Sequence, residues 1–336
     1  MKNFVTFPFC IILLSVFALN VSANVSPYVT FSQEITGFDE SGAQYPTVVI
    51  NPANLEGMET HTFALGQSQK LVIETNIPDA ETRGLDKFAE TVRRCYQFVE
   101  KESGRTLKEN ILLYIIEFSA VPEYYSFQMS FAENEADWGE VRLVLVQKND
   151  PLHGPSAPET IHELLYDTLP HELSHDILTG ITNLKHDIDS KPSYHTRWFI
   201  EGVCELLAKK FSHFEIPSLW KNFLARRHIN TVLDNPRIRD EIFQWAQENS
   251  NSPTLESDLY GAAMLVLVRW SRVIRITHIL KQIQEQGKPL AGSELLTMME
   301  SAVGLSRDKI LDQGHQLGLN LLPLAENRYP IMLGQY

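Results

Sequence analysis

Residues 171–175 read His-Glu-Leu-Ser-His, an instance of the pattern H-E-x-x-H. If this stretch is helical, His171 and His175 lie four residues apart on one face, so both imidazoles can reach a single ion. Glu172 then points into the same cleft and can act as a carboxylate base. The stretch therefore predicts a catalytic zinc site.

Pro170 stands directly before this motif, inside a pattern of apolar residues that predicts a helix over 159–178. Proline lacks a backbone donor and clashes with the preceding helical turn. We therefore expect the helix to kink at this point, or to restart with Pro170 in its first turn. In either case the motif can be helical as far as Gly180.

A zinc site of this kind needs a third ligand, and the best candidate lies in residues 198–205, Trp-Phe-Ile-Glu-Gly-Val-Cys-Glu. Glu201 interrupts an otherwise apolar turn, where a carboxylate is costly unless it is paired or binds a metal. Gly202 permits the close approach expected if this helix packs tightly against the one that carries the motif. Two histidines and one carboxylate leave a position for water, which is typical of catalytic zinc.

The two segments together resemble the gluzincin metallopeptidases, particularly the compact members whose second motif has the form W-x-x-E-G-x-A-E. The resemblance implies that His171, His175 and Glu201 bind one zinc ion and that Glu172 is the general base. Cys204 stands where such helices commonly have alanine, which exchanges one small residue for another.

The resemblance also assigns roles to two residues outside the ligand set. Glu205 matches a position whose carboxylate can hydrogen-bond a zinc-bound histidine, although a solvated carboxylate is an equal alternative. Tyr260 lies 59 residues after Glu201, at a distance where related enzymes carry a tyrosine or histidine that stabilises the oxyanion. Its alternative is a buried aromatic residue. His186 and His195 are further candidates for that role, or they simply face water.

The pattern of apolar residues changes near residue 158. Before it, strand-like runs bounded by Gly, Pro, Asn and Asp occupy residues 47–50, 70–75, 111–118 and 141–147. One amphipathic helix begins at Leu85 and is expected to end at Gly104. After it, helices are predicted at 159–178, 196–211, 217–227, 255–273, 276–285, 293–303 and 307–317. The fold class is therefore α+β. By resemblance it is thermolysin- or gluzincin-like, with a helix, a small mixed sheet and a mainly helical C-terminal region.

The first 23 residues have the features of an export signal: Lys2, an apolar run over 4–19, and Val-Ser-Ala before a predicted cleavage after Ala23. The apolar run is shorter than the roughly 20 residues of a spanning helix, which disfavours a membrane anchor. We expect a periplasmic or extracellular protein.

The predicted organisation is a signal peptide (1–23), a strand-rich segment (24–84), a metallopeptidase domain (85–320) and a tail (321–336).

The composition excludes some partners. The chain of 336 residues has a formal net charge of −13, and loss of Lys2 with the leader changes this to −14. Such an acidic surface repels nucleic acid and anionic lipid.

The apolar stretch over 262–268 ends at Arg269, so no membrane span is expected in the mature chain. Cys95 and Cys204 could form one disulfide or remain buried thiols.

These observations predict a zinc-dependent peptidase acting on peptides or proteins. The chain has no Gly-Ala-Met-Glu-Asn segment, by which one large gluzincin group holds a free amino terminus, so endopeptidase action is favoured. Two alternatives stay open. One is a zinc-binding but catalytically silent scaffold or binding protein with the same fold, and the other is a chance occurrence of the motif in a helical core.

Overall fold

The computed structural model describes residues 59–107, 110–118, 130–131, 138–147, 164–179, 194–245 and 253–326, with strands at 29–32 and 47–50 and the single positions 152, 162, 181 and 184. The predicted signal peptide and His186 lie outside these residues. The chain divides into two compact units, residues 1–94 with 108–165 and residues 95–107 with 166–336. The domain boundaries expected from the sequence stay predictions.

The strands belong to the first unit and form two sheets. β1 (Val29–Ser32) pairs antiparallel with β2 (Thr47–Ile50). The larger sheet has the order β3-β4-β5-β7-β6. Its strands are β3 (Glu59–Ala64), β4 (Lys70–Thr75), β5 (Asn110–Phe118), β6 (Ser130–Phe131) and β7 (Trp138–Gln147). The three central strands are parallel and both outer strands antiparallel, so the sheet is mixed.

Helix α1 (Leu85–Ser103) connects β4 to β5, as parallel neighbours require a long crossover. Its buried residues include Leu85, Phe88 and Val92 at helical spacing, which is the amphipathic pattern expected from the sequence. Gly104 ends the helix with φ +69°, a conformation that glycine adopts without strain.

The second unit is helical. Its helices are α2 (Leu169–Thr179), α3 (Arg197–Glu215), α4 (Pro217–Ala225), α5 (Pro236–Glu241), α6 (Pro253–Ser271), α7 (Ile276–Glu285), α8 (Gly292–Val303) and α9 (Arg307–Glu326). A π-helical turn, Leu164–Thr168, precedes α2. No helix among the described residues is long and apolar enough to cross a membrane.

Helix α3 lies at the centre of this unit and contacts α2, α4 and α6. Its side chains are buried around the whole circumference, as expected of a helix inside a core. A Cβ at Gly202 would lie 2.8 Å from the carbonyl oxygen of Ala263 in α6. The close approach expected at Gly202 is therefore present, but its partner is α6. The prediction that it serves the helix of the His-Glu-Leu-Ser-His motif was wrong.

Candidate metal centre

The motif occupies the first two turns of α2, and Pro170 lies in its first turn. The helix restarts there after the π-helical turn, which is one of the two outcomes expected from the sequence. The Ser174 hydroxyl donates to the carbonyl oxygen of Pro170 at 2.7 Å, within the same helix. His171 and His175 share one face, and their Nε2 atoms are 3.1 Å apart.

Helix α3 brings Glu201 to this pair. Its Oε2 atom lies 3.1 Å from His171 Nε2 and 3.3 Å from His175 Nε2. Ligands of one tetrahedral zinc ion, each about 2.0–2.1 Å from the metal, are separated by about 3.3 Å. The three donor atoms thus already have the spacing that zinc requires.

Burial and neighbouring charges shift the pKa values of this centre in opposite directions. Burial lowers the pKa of His171, but hydrogen bonds to Glu201 and Glu205 outweigh it and raise this pKa to about 10. Burial raises the pKa of Glu201, whereas His175 and His171 hold it well below its usual range. Without a metal, the carboxylate therefore retains protons on the imidazoles. A divalent cation would displace these protons and take their place beside Glu201.

Glu172 follows His171 on α2 and is partly exposed. Its negative charge acts on both histidines, after the larger influences of burial and of Glu201. It is therefore a carboxylate close to the ligand triad and accessible from solvent.

Glu205 lies one turn beyond Glu201 and faces the other nitrogen of His171. Its Oε1 atom is 3.4 Å from His171 Nδ1 and accepts from Arg227 Nη2 at 2.5 Å. Lys209 Nζ lies 2.9 Å from Oε2 and also contacts Asp167 in the π-helical turn. Burial raises the pKa of Glu205, but Arg227 and Lys209 hold it well below its usual range. Glu205 is thus a buried carboxylate in an ionic network, which the sequence did not reveal.

Tyr260 is in α6, beside the histidines. Its ring centroid lies 5.7 Å from that of His171 and 5.1 Å from that of Trp245. The guanidinium of Arg227 is 4.7 Å from the ring centroid, and that of Arg197 is 5.9 Å away. Tyr260 is buried, but its hydroxyl lies 3.4 Å from Arg197 Nη2, so its polar end is directed toward charged groups of the site.

Arg197, which sequence reasoning did not single out, holds the second oxygen of Glu201. Its Nε donates to Glu201 Oε1 at 3.4 Å and its Nη2 to Glu256 at 2.5 Å. The guanidinium also stacks 4.6 Å from the Trp245 ring centroid. The arrangement leaves Oε2 directed at the histidines. The i, i+4 spacing of Arg197 and Glu201 on one helix was a signal that could have found this contact.

Cys204 lies closer to the histidines than expected of a mere substitute for alanine. Donor atoms of His171, His175 and Cys204 all lie within 4.8 Å of one another. Burial and the surrounding carboxylates, Glu201 first, raise the pKa of the Cys204 thiol well above its usual range. Cys204 and Cys95 are both buried thiols and do not form a disulfide with each other.

His195, an alternative to Tyr260, has its ring directed elsewhere. Its Nδ1 atom lies 2.9 Å from the carbonyl oxygen of Gln244. Its backbone adopts φ 52°, and its own carbonyl oxygen would be 1.9 Å from a Cβ at Gly292. These contacts fix His195, just before α3, against neighbouring turns.

No protein-family profile and no curated protein sequence matches this chain. Its structure is similar to that of an aminopeptidase N family protein from Idiomarina loihiensis, with a TM-score of 0.50 and 10% identity over 85% of this chain and 52% of the other. This similarity shows that the two proteins share a fold. Because the match covers 52% of the other chain, this chain spans about half the length of that protein.

Two further solved structures are less similar. Yeast LTA4 hydrolase in complex with bestatin has a TM-score of 0.44 and 15% identity, covering 84% of this chain and 43% of the other. Legionella pneumophila aminopeptidase A in complex with aspartic acid has a TM-score of 0.43 and 12% identity, covering 85% and 32%.

Proposed function

We propose that this protein is a zinc-dependent peptidase. The observation that carries the proposal is the triangle of His171 Nε2, His175 Nε2 and Glu201 Oε2, whose sides of 3.1–3.3 Å suit one tetrahedral ion. Two imidazoles favour zinc over magnesium or calcium, which prefer oxygen ligands. Three ligands also leave a position for water, as a catalytic site requires.

The chemistry of the proposal divides between the ion and two side chains. Zinc held by these ligands would polarise the scissile carbonyl and make the attacking water more acidic. Glu172 accepts the proton of that water and passes it to the leaving amine. The Tyr260 hydroxyl donates to the carbonyl oxygen as this oxygen gains negative charge.

Other charged groups keep these atoms in place. Glu205 faces His171 Nδ1 and favours the tautomer whose Nε2 lone pair is available to a metal. Arg197 engages Glu201 Oε1 and the Tyr260 hydroxyl, so it restrains a ligand and the oxyanion donor together. Arg227 links Glu205 to the face of the Tyr260 ring.

The substrates in this proposal are peptides or proteins outside the cytoplasm, reached through the predicted export signal. Cleavage within a chain, rather than at its amino terminus, stays our prediction. It is tested with paired peptides that differ only in an acetylated or free amino terminus. An endopeptidase cleaves both at the same bond, whereas an aminopeptidase requires the free amine.

The deciding experiment combines metal analysis with peptide cleavage. The protein is expressed with its predicted export signal and then purified. It is analysed for zinc by mass spectrometry and incubated with a complex peptide mixture. Glu172→Gln is the test variant. Asp176→Asn, one turn further along α2, is the matched control. We expect one zinc per chain in all three proteins, and cleavage by the wild type and the control alone.

Two outcomes would contradict the proposal in different ways. A wild type that binds zinc but cleaves no more than Glu172→Gln indicates the scaffold or binding protein. A wild type without stoichiometric zinc, unaffected by changes at His171 or Glu201, indicates that the motif is a chance feature of the helical core.

A further inference from the structure

The Cys204 thiol lies close to both histidines of the proposed zinc centre. Its sulfur lies within 4.8 Å of donor atoms of both His171 and His175. It follows Glu201 by three residues on α3, so helical geometry places both side chains on one face. Both histidines therefore belong to two groups of potential ligands, one completed by the Glu201 carboxylate and the other by the Cys204 sulfur.

We propose that Cys204 is a fourth donor that makes this centre a site for thiophilic divalent cations, of which cadmium is the representative. This inference rests on the proposed metal centre. Thiolate ligands select soft cations, whereas carboxylates suit harder ones, so the centre contains donors of both kinds. A cation bound by Cys204 in addition to the other three ligands has a closed coordination shell, which is typical of structural sites.

The distances suit a shared cation. Thiolate and imidazole ligands of one tetrahedral zinc ion lie about 3.6 Å apart, and the Cys204 sulfur lies within 4.8 Å of donor atoms of both histidines. A cation larger than zinc, with longer bonds to its ligands, can span donors that lie further apart. The Sγ–H bond breaks as the metal–sulfur bond forms, and the proton is released to solvent, with no change of oxidation state.

Closure of the fourth position has a functional consequence. A tetrahedral cation held by all four donors has no open position, so it excludes the reacting water. A thiophilic cation would then occupy the centre without supporting peptide cleavage. Cys95 provides the comparison within the same chain, because it is an equally buried thiol outside any disulfide and belongs to no three-donor cluster among the described residues.

The test is a cadmium titration of metal-stripped protein, followed by ultraviolet absorption and by the metal retained after gel filtration. Wild type and Cys95→Ala are expected to bind one cadmium with the charge-transfer absorption of a cadmium–thiolate bond. Cys204→Ala is expected to lose that absorption while still binding one cadmium through the remaining ligands. Cys204→Ser serves as a second variant if the alanine protein does not fold.

The outcomes separate this inference from the proposed function. One bound cadmium without charge-transfer absorption in the wild type overturns the role of Cys204 and leaves the three-ligand centre intact. Absorption that persists in Cys204→Ala and Cys204→Ser also overturns it. If neither cadmium nor zinc binds stoichiometrically, the proposed centre itself fails, and the role of Cys204 fails with it.

Discussion

The ammonium group of Lys209 lies 2.9 Å from the carboxylate of Glu205 inside α3, where neither side chain is more than 1% exposed. Lys209 also contacts Asp167, and Glu205 also binds Arg227. The two carboxylates and the two cations neutralise one another, which offsets much of the cost of burying each charge. The network therefore holds Glu205 ionised beside His171.

Replacement of Lys209 by methionine should destabilise the protein. The substitution keeps a similar volume but leaves Glu205 and Asp167 without a shared buried cation. Removing one partner of a buried ion pair costs about 3–5 kcal/mol. Urea unfolding, followed by circular dichroism, measures the change in the free energy of unfolding.

Lys210→Met is the control, because Lys210 is the next residue and binds Glu102 in a partly exposed pair. Such pairs contribute about 0–1 kcal/mol. Equal losses for the two variants would show that the buried network does not carry the stability assigned to it.

Glu205→Gln should weaken zinc binding without removing a ligand. Glutamine keeps an oxygen that can face His171 Nδ1, but it lacks the negative charge that makes the imidazole a better ligand. Loss of such an outer carboxylate typically costs about 10–100-fold in metal affinity. Competition with a fluorescent chelator measures the affinity. Glu215→Gln, at the far end of α3, should bind zinc as the wild type does.

Gly261→Ala should disturb the contact between α6 and the turn that carries Arg227. A Cβ at Gly261 would lie 2.2 Å from the carbonyl oxygen of Arg227, and backbone cannot move aside as a side chain can. Overpacking of this kind costs about 1–3 kcal/mol. We expect a lower melting temperature and weaker zinc binding, since Arg227 holds Glu205.

Gly314→Ala in α9 is the matched control. The nearest atom to a Cβ there is the end of the Leu233 side chain, at 3.0 Å, which can rotate. Alanine also favours a helix over glycine by about 1 kcal/mol. Gly314→Ala should therefore be as stable as the wild type or more stable. A Gly261→Ala protein as stable as this control would refute the assigned packing.

The stability of the metal-free protein should depend on pH through His171. Burial lowers the pKa of this residue, but Glu201 and Glu205 raise it to about 10, from an ordinary value of 6.5. The charged form therefore stabilises the fold fully below pH 6.5, and this stabilisation is lost as pH rises toward 10. Zinc requires neutral imidazoles, so stabilisation by zinc should grow over the same interval.

Melting temperatures in chelator and in zinc, at about pH 6 and about pH 9, measure both trends. His171→Gln should lose the difference between the two conditions, while His278→Gln, at an exposed position, should retain it. A zinc-induced shift in the wild type that is larger at the lower pH would contradict the predicted coupling.

Local sequence pattern was sufficient for much of the helical architecture. The predicted helix over 276–285 agrees with α7, and glycine at 104 ends α1 as expected. β3 was missed because its residues, Glu-Thr-His-Thr-Phe-Ala, are mostly polar. Only His61 and Phe63 are partly buried, and the other four are exposed. An outer strand needs little apolar surface, so its pairing with β4 is not visible in its own composition.

The sequence by itself determined the pair of motifs, because two histidines four residues apart and a carboxylate in an apolar turn are chemically conspicuous. It also predicted that both motifs are helical. Only the tertiary structure decided that Arg227 binds Glu205, that Tyr260 lies beside His171, and that the Cys204 thiol faces both histidines. These contacts join residues on separate helices, and their distances follow from how α2, α3 and α6 pack rather than from the spacing within any one of them.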